Sequence, residues 1–279
     1  MTKDSSAISL AATTATYGGD FRTKMKAMSE AGFHATEVWM GDLFEHPEGP
    51  DVAIKAMADH GVAPIALQAL RNFEGCPPEQ RLLKRRFAIT YLDMCAALQI
   101  PLLVLASHTG AEALGEAQRL VDDLGDLGDL ALERGVKVAY EPVAWARHTG
   151  TLARAIPLLA RLRHPAIGLQ LDSFHVSMEQ GGVAQMSGLG PDVPVFLVEV
   201  SDHAATEGLA PIDISRAYRL LPGEGNSDVD LFGAALRALG YRGPVVIEIF
   251  NAYYRTLDPG IMARRAYSAI AAYRDACLA

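Results

Sequence analysis

The chain lacks most of what marks a membrane, disulfide-stapled or nucleic-acid-binding protein. No apolar run approaches the roughly 18 residues of a transmembrane helix. Residues 1–6, Met-Thr-Lys-Asp-Ser-Ser, lack the long apolar segment of a secretory signal. Cysteine is scarce: Cys76, Cys95 and Cys277 are odd in number and widely spaced, with neither zinc spacing nor a disulfide framework. They read as reduced thiols of a cytoplasmic protein. Positive charge is in deficit, 25 Lys and Arg against 33 Asp and Glu, for a net charge of −8 and a pI near 5.5. That disfavours a nucleic-acid or anionic-membrane surface while leaving room for a local basic pocket. A phosphate-binding G-x-G-x-x-G after the first strand is missing too; Gly18-Gly19 is not one. No Pro-, Gly- or Ser-rich linker divides residues 1–279, so one domain is expected.

What is present is alternation. The chain has 279 residues, half of them hydrophobic. Short β-branched runs alternate with helical stretches, and the joints repeat a helix–Gly–apolar pattern, as in Ala31-Gly32-Phe33 and Arg134-Gly135-Val136. Expected strands are Ile8–Ala12, Ala35–Met40, Pro64–Leu70, Leu102–Ala106, segments ending at Glu141, Asp172 and near Ser201, and Val245–Phe250. Eight strand–helix units in this length predict an α/β fold, a single (β/α)8 TIM barrel. A doubly wound open sheet is the alternative.

Four acids end four apolar runs: Glu141, Asp172, Glu199 and Glu248. A carboxylate at the end of a buried strand is costly unless neutralised. In a parallel barrel these ends share the catalytic face, so the four acids become neighbours that repel unless a cation sits among them. A hard divalent cation, magnesium, manganese or cobalt, accepts such oxygen ligands and leaves positions for substrate oxygens.

Further segments carry a family resemblance: Arg71-Asn72-Phe73-Glu74-Gly75, Tyr140-Glu141-Pro142-Val143-Ala144-Trp145-Ala146-Arg147-His148, Leu171-Asp172-Ser173-Phe174-His175, Ser215-Arg216-Ala217-Tyr218-Arg219, Pro222-Gly223-Glu224-Gly225 and Ile247-Glu248-Ile249-Phe250-Asn251. The chain resembles the xylose-isomerase-like barrel superfamily of sugar isomerases, epimerases and dehydratases, and within it the bacterial 3-dehydroshikimate dehydratases. The resemblance implies a metal site on Glu141, Asp172, Glu199 and Glu248. It also implies dehydration of 3-dehydroshikimate to protocatechuate, a step of quinate and shikimate degradation. Glu199 departs from the pattern, which has Gln or His there; a fourth carboxylate should hold the cation more tightly and lower its Lewis acidity. Glu224 stands where Gln is usual, and Ala252 where an acid is common.

Catalytic candidates are His175 and His148, either of which could be the base that removes the proton beside the carbonyl because its reference pKa lies near working pH, together with Glu141 and Glu248; the sequence does not choose between the two histidines. His108 and His203 are weaker candidates at the same end of the barrel. Arg71, Arg216 and Arg219 are candidates to clamp a carboxylated polyol or keto substrate, with Gln68 and Ser215 as polar contacts. Phe73, Trp145 and Phe250 read as wall. Two alternatives to the dehydratase remain: a sugar or hydroxy-keto-acid isomerase or epimerase on the same metal site, and a metal- and ligand-binding protein without turnover. No nucleic-acid or membrane partner is expected, and the oligomeric state, homo-oligomer included, is left open.

Overall fold

The computed structural model describes residues 8–44, 50–204 and 207–278; the N-terminal segment read above for a signal lies outside them. Eight parallel strands close into a barrel. In chain order they are Leu10–Thr13, Ala35–Trp39, Ala63–Arg71, Leu102–Ala106, Lys137–Glu141, Ile167–Asp172, Val195–Val200 and Val245–Ile247. The first pairs with the second and the eighth, and each other strand with its neighbours in sequence. Helices pack outside. Helix Phe21–Ala31 is typical: the Asp20 carboxylate accepts the Thr23 N–H at 2.8 Å, and Gly32 ends it with φ 107°. Its Met25 and Met28 are buried.

Side chains along a strand alternate between barrel interior and helix layer. Ala11, Ala35, Ala66, Val104, Ala139, Leu197 and Val246 form one interior cluster. Two residues further along the same strands come Thr13, Glu37, Gln68, Ala106, Glu141, Glu199 and Glu248. Asp172 pairs in register with Glu199. The polar set is therefore the next interior layer, at the C-terminal mouth. The register of the sixth and seventh strands shifts at Phe196, whose ring turns inward over Gly168. A Cβ on Gly168 would lie 2.6 Å from that ring. The Lys137 ammonium caps the ring from 4.7 Å, closing the lower end.

Two differences from the expected elements matter at the mouth. The eighth strand stops at Ile247 rather than Phe250, because the Ile249 N–H donates to Thr16 Oγ1 at 3.0 Å instead of to a neighbouring strand. The loop after the seventh strand contains a helix, Pro211–Ala217, and an antiparallel pair, Asp202–His203 with Arg219–Leu220. The Asp202 carboxylate gathers the N–H groups of His203, Gly223, Gly225 and Ser227. This knot makes the Arg219 segment a fixed part of the mouth. No helix among the described residues is long and apolar enough to cross a membrane, and all three cysteines are unpaired.

Candidate active site

Five carboxyl groups line the polar layer, all buried: Glu37, Glu141, Asp172, Glu199 and Glu248. Glu141, Asp172 and His175 each offer an atom within 4.8 Å of the others, and so do Glu37, Glu199 and Glu248. Arg219 joins the two groups. Its Nη1 lies 2.8 Å from Asp172 Oδ2 and 3.0 Å from Glu248 Oε2. It is only 1% exposed, and its guanidinium stacks on Phe174 at 4.6 Å. Ser215 Oγ accepts from Nη2 at 2.8 Å, and Ser201 Oγ accepts from Nη1 at 3.3 Å. Ser215 thus holds Arg219 as well as facing the cavity above.

The remaining polar contacts fix the acids. Asp172 Oδ1 accepts the Phe174 N–H at 2.8 Å and caps helix Ser173–Ser177. Gln68 Nε2 donates to Glu248 Oε1 at 2.8 Å and to Thr13 Oγ1 at 3.1 Å. Among the described residues, both oxygens of Glu37 and Oε1 of Glu199 are buried without a hydrogen-bond donor other than a proton carried by one of these two carboxyls.

Burial and mutual repulsion set the protonation of this layer. Burial, with Glu248 and Asp172 adding to it, pushes Glu141 well above the usual carboxylate range. Burial, with Glu248 and Glu37, does the same to Glu199. Glu37 rises to about 8, chiefly through burial. Burial also raises Glu248, against the pull of Arg219. Burial works against the Arg219 charge, but Asp172 and Glu248 outweigh it and hold the guanidinium above its usual value.

One buried guanidinium cannot neutralise five buried carboxyl groups, so in the metal-free protein several keep their protons and Glu37 and Glu199 share one; a cation that displaces those protons meets hard oxygen donors. The residues present therefore fit a divalent cation.

His175 serves this layer differently. The Ala144 N–H donates to its Nδ1 at 3.1 Å, so in the neutral ring Nε2 carries the proton. Nε2 lies 3.6 Å from both Glu141 Oε1 and Asp172 Oδ2. Burial lowers its pKa to about 4, which keeps the ring neutral and a hydrogen donor toward the acids. Trp145 stacks on it edge-on at 5.0 Å.

Above the acids opens a cavity of about 380 Å³. Its wall includes Trp39, Gln68, Arg71, Glu141, Trp145, His175, Ser215, Arg216, Arg219, Glu248, Phe250 and Arg255. Arg71, Arg216 and Arg255 make no ion pair among the described residues. The cavity thus has an acidic floor and a basic rim.

The sequence candidates divide accordingly. Glu141, Asp172, Glu199, Glu248, His175, Gln68, Ser215, Arg71, Arg216 and Arg219 meet at this mouth. His148 does not: its Nε2 bonds the Ala113 carbonyl at 2.9 Å, and it lines a separate pocket with Arg154 and Arg161. His108 Nδ1 contacts the Glu74 carbonyl at 2.9 Å, and His203 Nε2 contacts Ser177 Oγ at 2.9 Å; neither lines the cavity. Trp145 and Phe250 are wall, whereas Phe73 is buried elsewhere. Glu224 binds the Tyr254 hydroxyl and Arg265 rather than the cavity. Sequence reasoning missed Glu37 and Arg255. Glu37 shares strand parity with Ala35, an interior residue, and that signal was available.

Comparison with known proteins agrees with this architecture. Residues 25–273 match the family model described as xylose isomerase-like TIM barrel. The chain is 35% identical to a 3-dehydroshikimate dehydratase of Pseudomonas putida over 242 residues, which is 87% of this chain and 38% of that protein. It is 26% identical to a ketose 3-epimerase of Arthrobacter globiformis, over 82% of this chain and 78% of the other. Among solved structures, a xylose isomerase-like TIM barrel/4-hydroxyphenylpyruvate dioxygenase fusion protein superposes with a TM-score of 0.91 at 31% identity, covering 96% of this chain and 43% of that one. The chain therefore spans well under half the length of the dehydratase it matches. From closed parallel barrel, mouth and family match together, the chain belongs to the xylose isomerase-like TIM barrel family.

Proposed function

We propose that the chain is a divalent-metal-dependent lyase that dehydrates 3-dehydroshikimate to protocatechuate. The observation that carries this reading is a layer of five buried acids under one cavity whose wall carries Arg71, Arg216 and Arg255, none of them in an ion pair among the described residues. Its similarity to the P. putida dehydratase supports the substrate. Glu141, Asp172, Glu199 and Glu248 would hold magnesium, manganese or cobalt, which supplies positive charge for polarising a substrate oxygen.

The chain's own residues do the rest. Arg71 and Arg216, on the cavity wall, bind the ring carboxylate, for which a guanidinium is a bidentate partner. Removing the proton beside the carbonyl needs an acceptor, and releasing the hydroxyl as water needs a donor. Glu141, once ionised, serves both needs: its carboxylate takes the proton beside the carbonyl and then gives it to the departing hydroxyl, so that water leaves and the carboxylate is restored. Burial and neighbouring acids raise the proton affinity of Glu141, which suits it as acceptor. His175, with Nδ1 engaged by Ala144 and its Nε2–H directed at Glu141 and Asp172, is neither the base nor the acid; it orients these two carboxyl groups. His148, turned to the Ala113 carbonyl, holds its loop. Arg219, held by Ser215, fixes Asp172 and Glu248. Aromatisation of the ring makes the overall step effectively irreversible.

The test is direct. Protein is reconstituted with manganese, magnesium or cobalt and mixed with 3-dehydroshikimate, and the catechol-acid absorbance is followed. Absence of product with all three metals defeats the reading.

An epimerase reading has its own support: Glu141 and Glu248 both face the cavity, and a ketose 3-epimerase is among the relatives. It predicts solvent-deuterium exchange into a ketose without loss of water.

A further inference from the structure

We infer that Arg255 is a third anion-binding arm of this cavity and sets its preference for carboxylated over uncharged ligands; this rests on reading the cavity as the substrate site. Arg255 lies beyond the eighth strand, in the short turn Tyr254–Thr256. Its side chain is exposed and lines the cavity. It has no ion pair or side-chain hydrogen bond among the described residues. An arginine without an acid partner is ordinary on open surface. Here it joins Arg71 and Arg216 around one concave wall, in a chain whose net charge is −8. Three guanidiniums gathered there repel one another and disfavour a cationic ligand; an anion relieves that repulsion.

The backbone beneath Arg255 is held firmly, which separates it from a flexible surface arginine. Its N–H donates to the Asn251 carbonyl at 3.1 Å. Asn251 Oδ1 accepts the N–H groups of Tyr253 at 3.0 Å and Tyr254 at 3.1 Å. Asn251 Nδ2 donates to the Arg219 carbonyl at 2.8 Å. One buried amide thus ties the turn carrying Arg255 to the strand carrying Arg219. From the other side, Gly18 presses against the turn: a Cβ there would lie 2.2 Å from the Arg255 carbonyl oxygen. Only glycine permits that approach. The neighbouring Tyr254 is anchored away from the cavity by Glu224. A fixed backbone reduces the ordering cost of engaging a carboxylate, and the planar guanidinium matches that group in bidentate geometry. The ligand class is a compact ring bearing one carboxylate, with its oxygen substituents directed at the acidic floor.

The experiment is calorimetric titration of protocatechuate and of catechol, which lacks the carboxylate, into the metal-loaded protein. Wild type binds protocatechuate more tightly, and Arg255→Met cuts that preference by roughly ten- to a hundredfold, the range of hydrogen bonds to a charged group. Catechol affinity stays unchanged. Arg255→Lys falls between the two. Gly18→Ala, which displaces the turn, lowers the preference with manganese affinity unchanged, the latter reporting an intact floor. Equal preference in wild type and Arg255→Met, or no preference in wild type, overturns the inference. If 3-dehydroshikimate is not turned over but Arg255→Met still loses the preference, the proposed reaction fails and the arm stands. If turnover is normal and Arg255→Met binds protocatechuate as wild type does, only the arm fails.

Discussion

The lower interior layer of the barrel, which includes Ala66, Val104, Ala139, Leu197 and Val246, and the acidic layer above it share the same strands and alternation. Two residues of sequence separate Ala139 from Glu141, Leu197 from Glu199 and Val246 from Glu248. The lower layer is closed by Phe196, seated over Gly168, and its side chains contribute burial alone. The upper layer places like charges together and offsets them with Arg219. The comparison teaches that stability and chemistry are stacked along the barrel axis, with the strand backbones common to both. Substitutions one layer apart should therefore fail in different ways.

The largest stability effect belongs to Arg219→Met. It strips the cation from among buried acids, and loss of one partner of a buried pair costs about 3–5 kcal/mol. Chemical denaturation of the metal-free variant should show that loss, with partial recovery on adding manganese. Leu197→Ala, one layer down, should cost about 2–5 kcal/mol through the cavity it leaves yet keep wild-type metal affinity by calorimetry. A loss of metal affinity in that variant would erase the distinction between the layers.

The layers also separate by pH. Glu37, raised to about 8, and Glu74, a buried acid held by the His108 N–H and the Tyr140 hydroxyl and raised to about 7, bind protons more tightly folded than unfolded. Their contribution is full below the ordinary value of 4.5 and is lost as pH rises through those folded values. His175, depressed from 6.5 to about 4, works oppositely: its contribution is present above 6.5 and lost as pH falls through 4. The window where the acids act alone is therefore pH 6.5 to 8. Thermal denaturation of the metal-free protein should show a falling midpoint across it. Stabilisation by added manganese should grow across the same window, since ligands bind metal deprotonated. A midpoint that rises with pH would show that the acids are not held protonated by burial.

The smallest effect is expected at the residue that departs from the family pattern. Burial and the neighbouring Glu248 and Glu37 favour a proton on Glu199 in the metal-free protein. A protonated carboxyl and an amide are both neutral and have nearly the same shape, so the extra charge is muted in the metal-free protein; unlike Glu141, Glu199 stands where the family pattern has Gln or His, so an amide there is compatible with metal binding. Glu199→Gln should unfold within about 0.5 kcal/mol of wild type and bind manganese with affinity within roughly tenfold. A sharp rise in turnover instead would mean that Glu199 is ionised and restrains the reaction.

Much of this arrangement was legible in the sequence. Apolar runs ending in acids marked strands five to eight, and parallel topology gathers their ends whatever the loops do. Glu37 carries no strand-end signal: it sits mid-strand, on the parity of Ala35. The loops were the least legible part. A histidine seven residues past Glu141 can turn either way, and His148 turns to the Ala113 carbonyl. Arg219 reads as a loop cation, but the knot around Asp202 and the Asn251 amide draws it into the mouth. These are long-range hydrogen bonds, which leave no periodic trace in sequence.

The central claim is that the upper layer is a metal site built on an apolar lower one. Calorimetric titration of manganese into wild type and Glu141→Gln tests it most directly. A saturable site in wild type, weakened in the variant by more than the roughly 10–100-fold cost of losing an outer-shell partner, is the predicted result. No binding in wild type, or equal binding in both proteins, would contradict it.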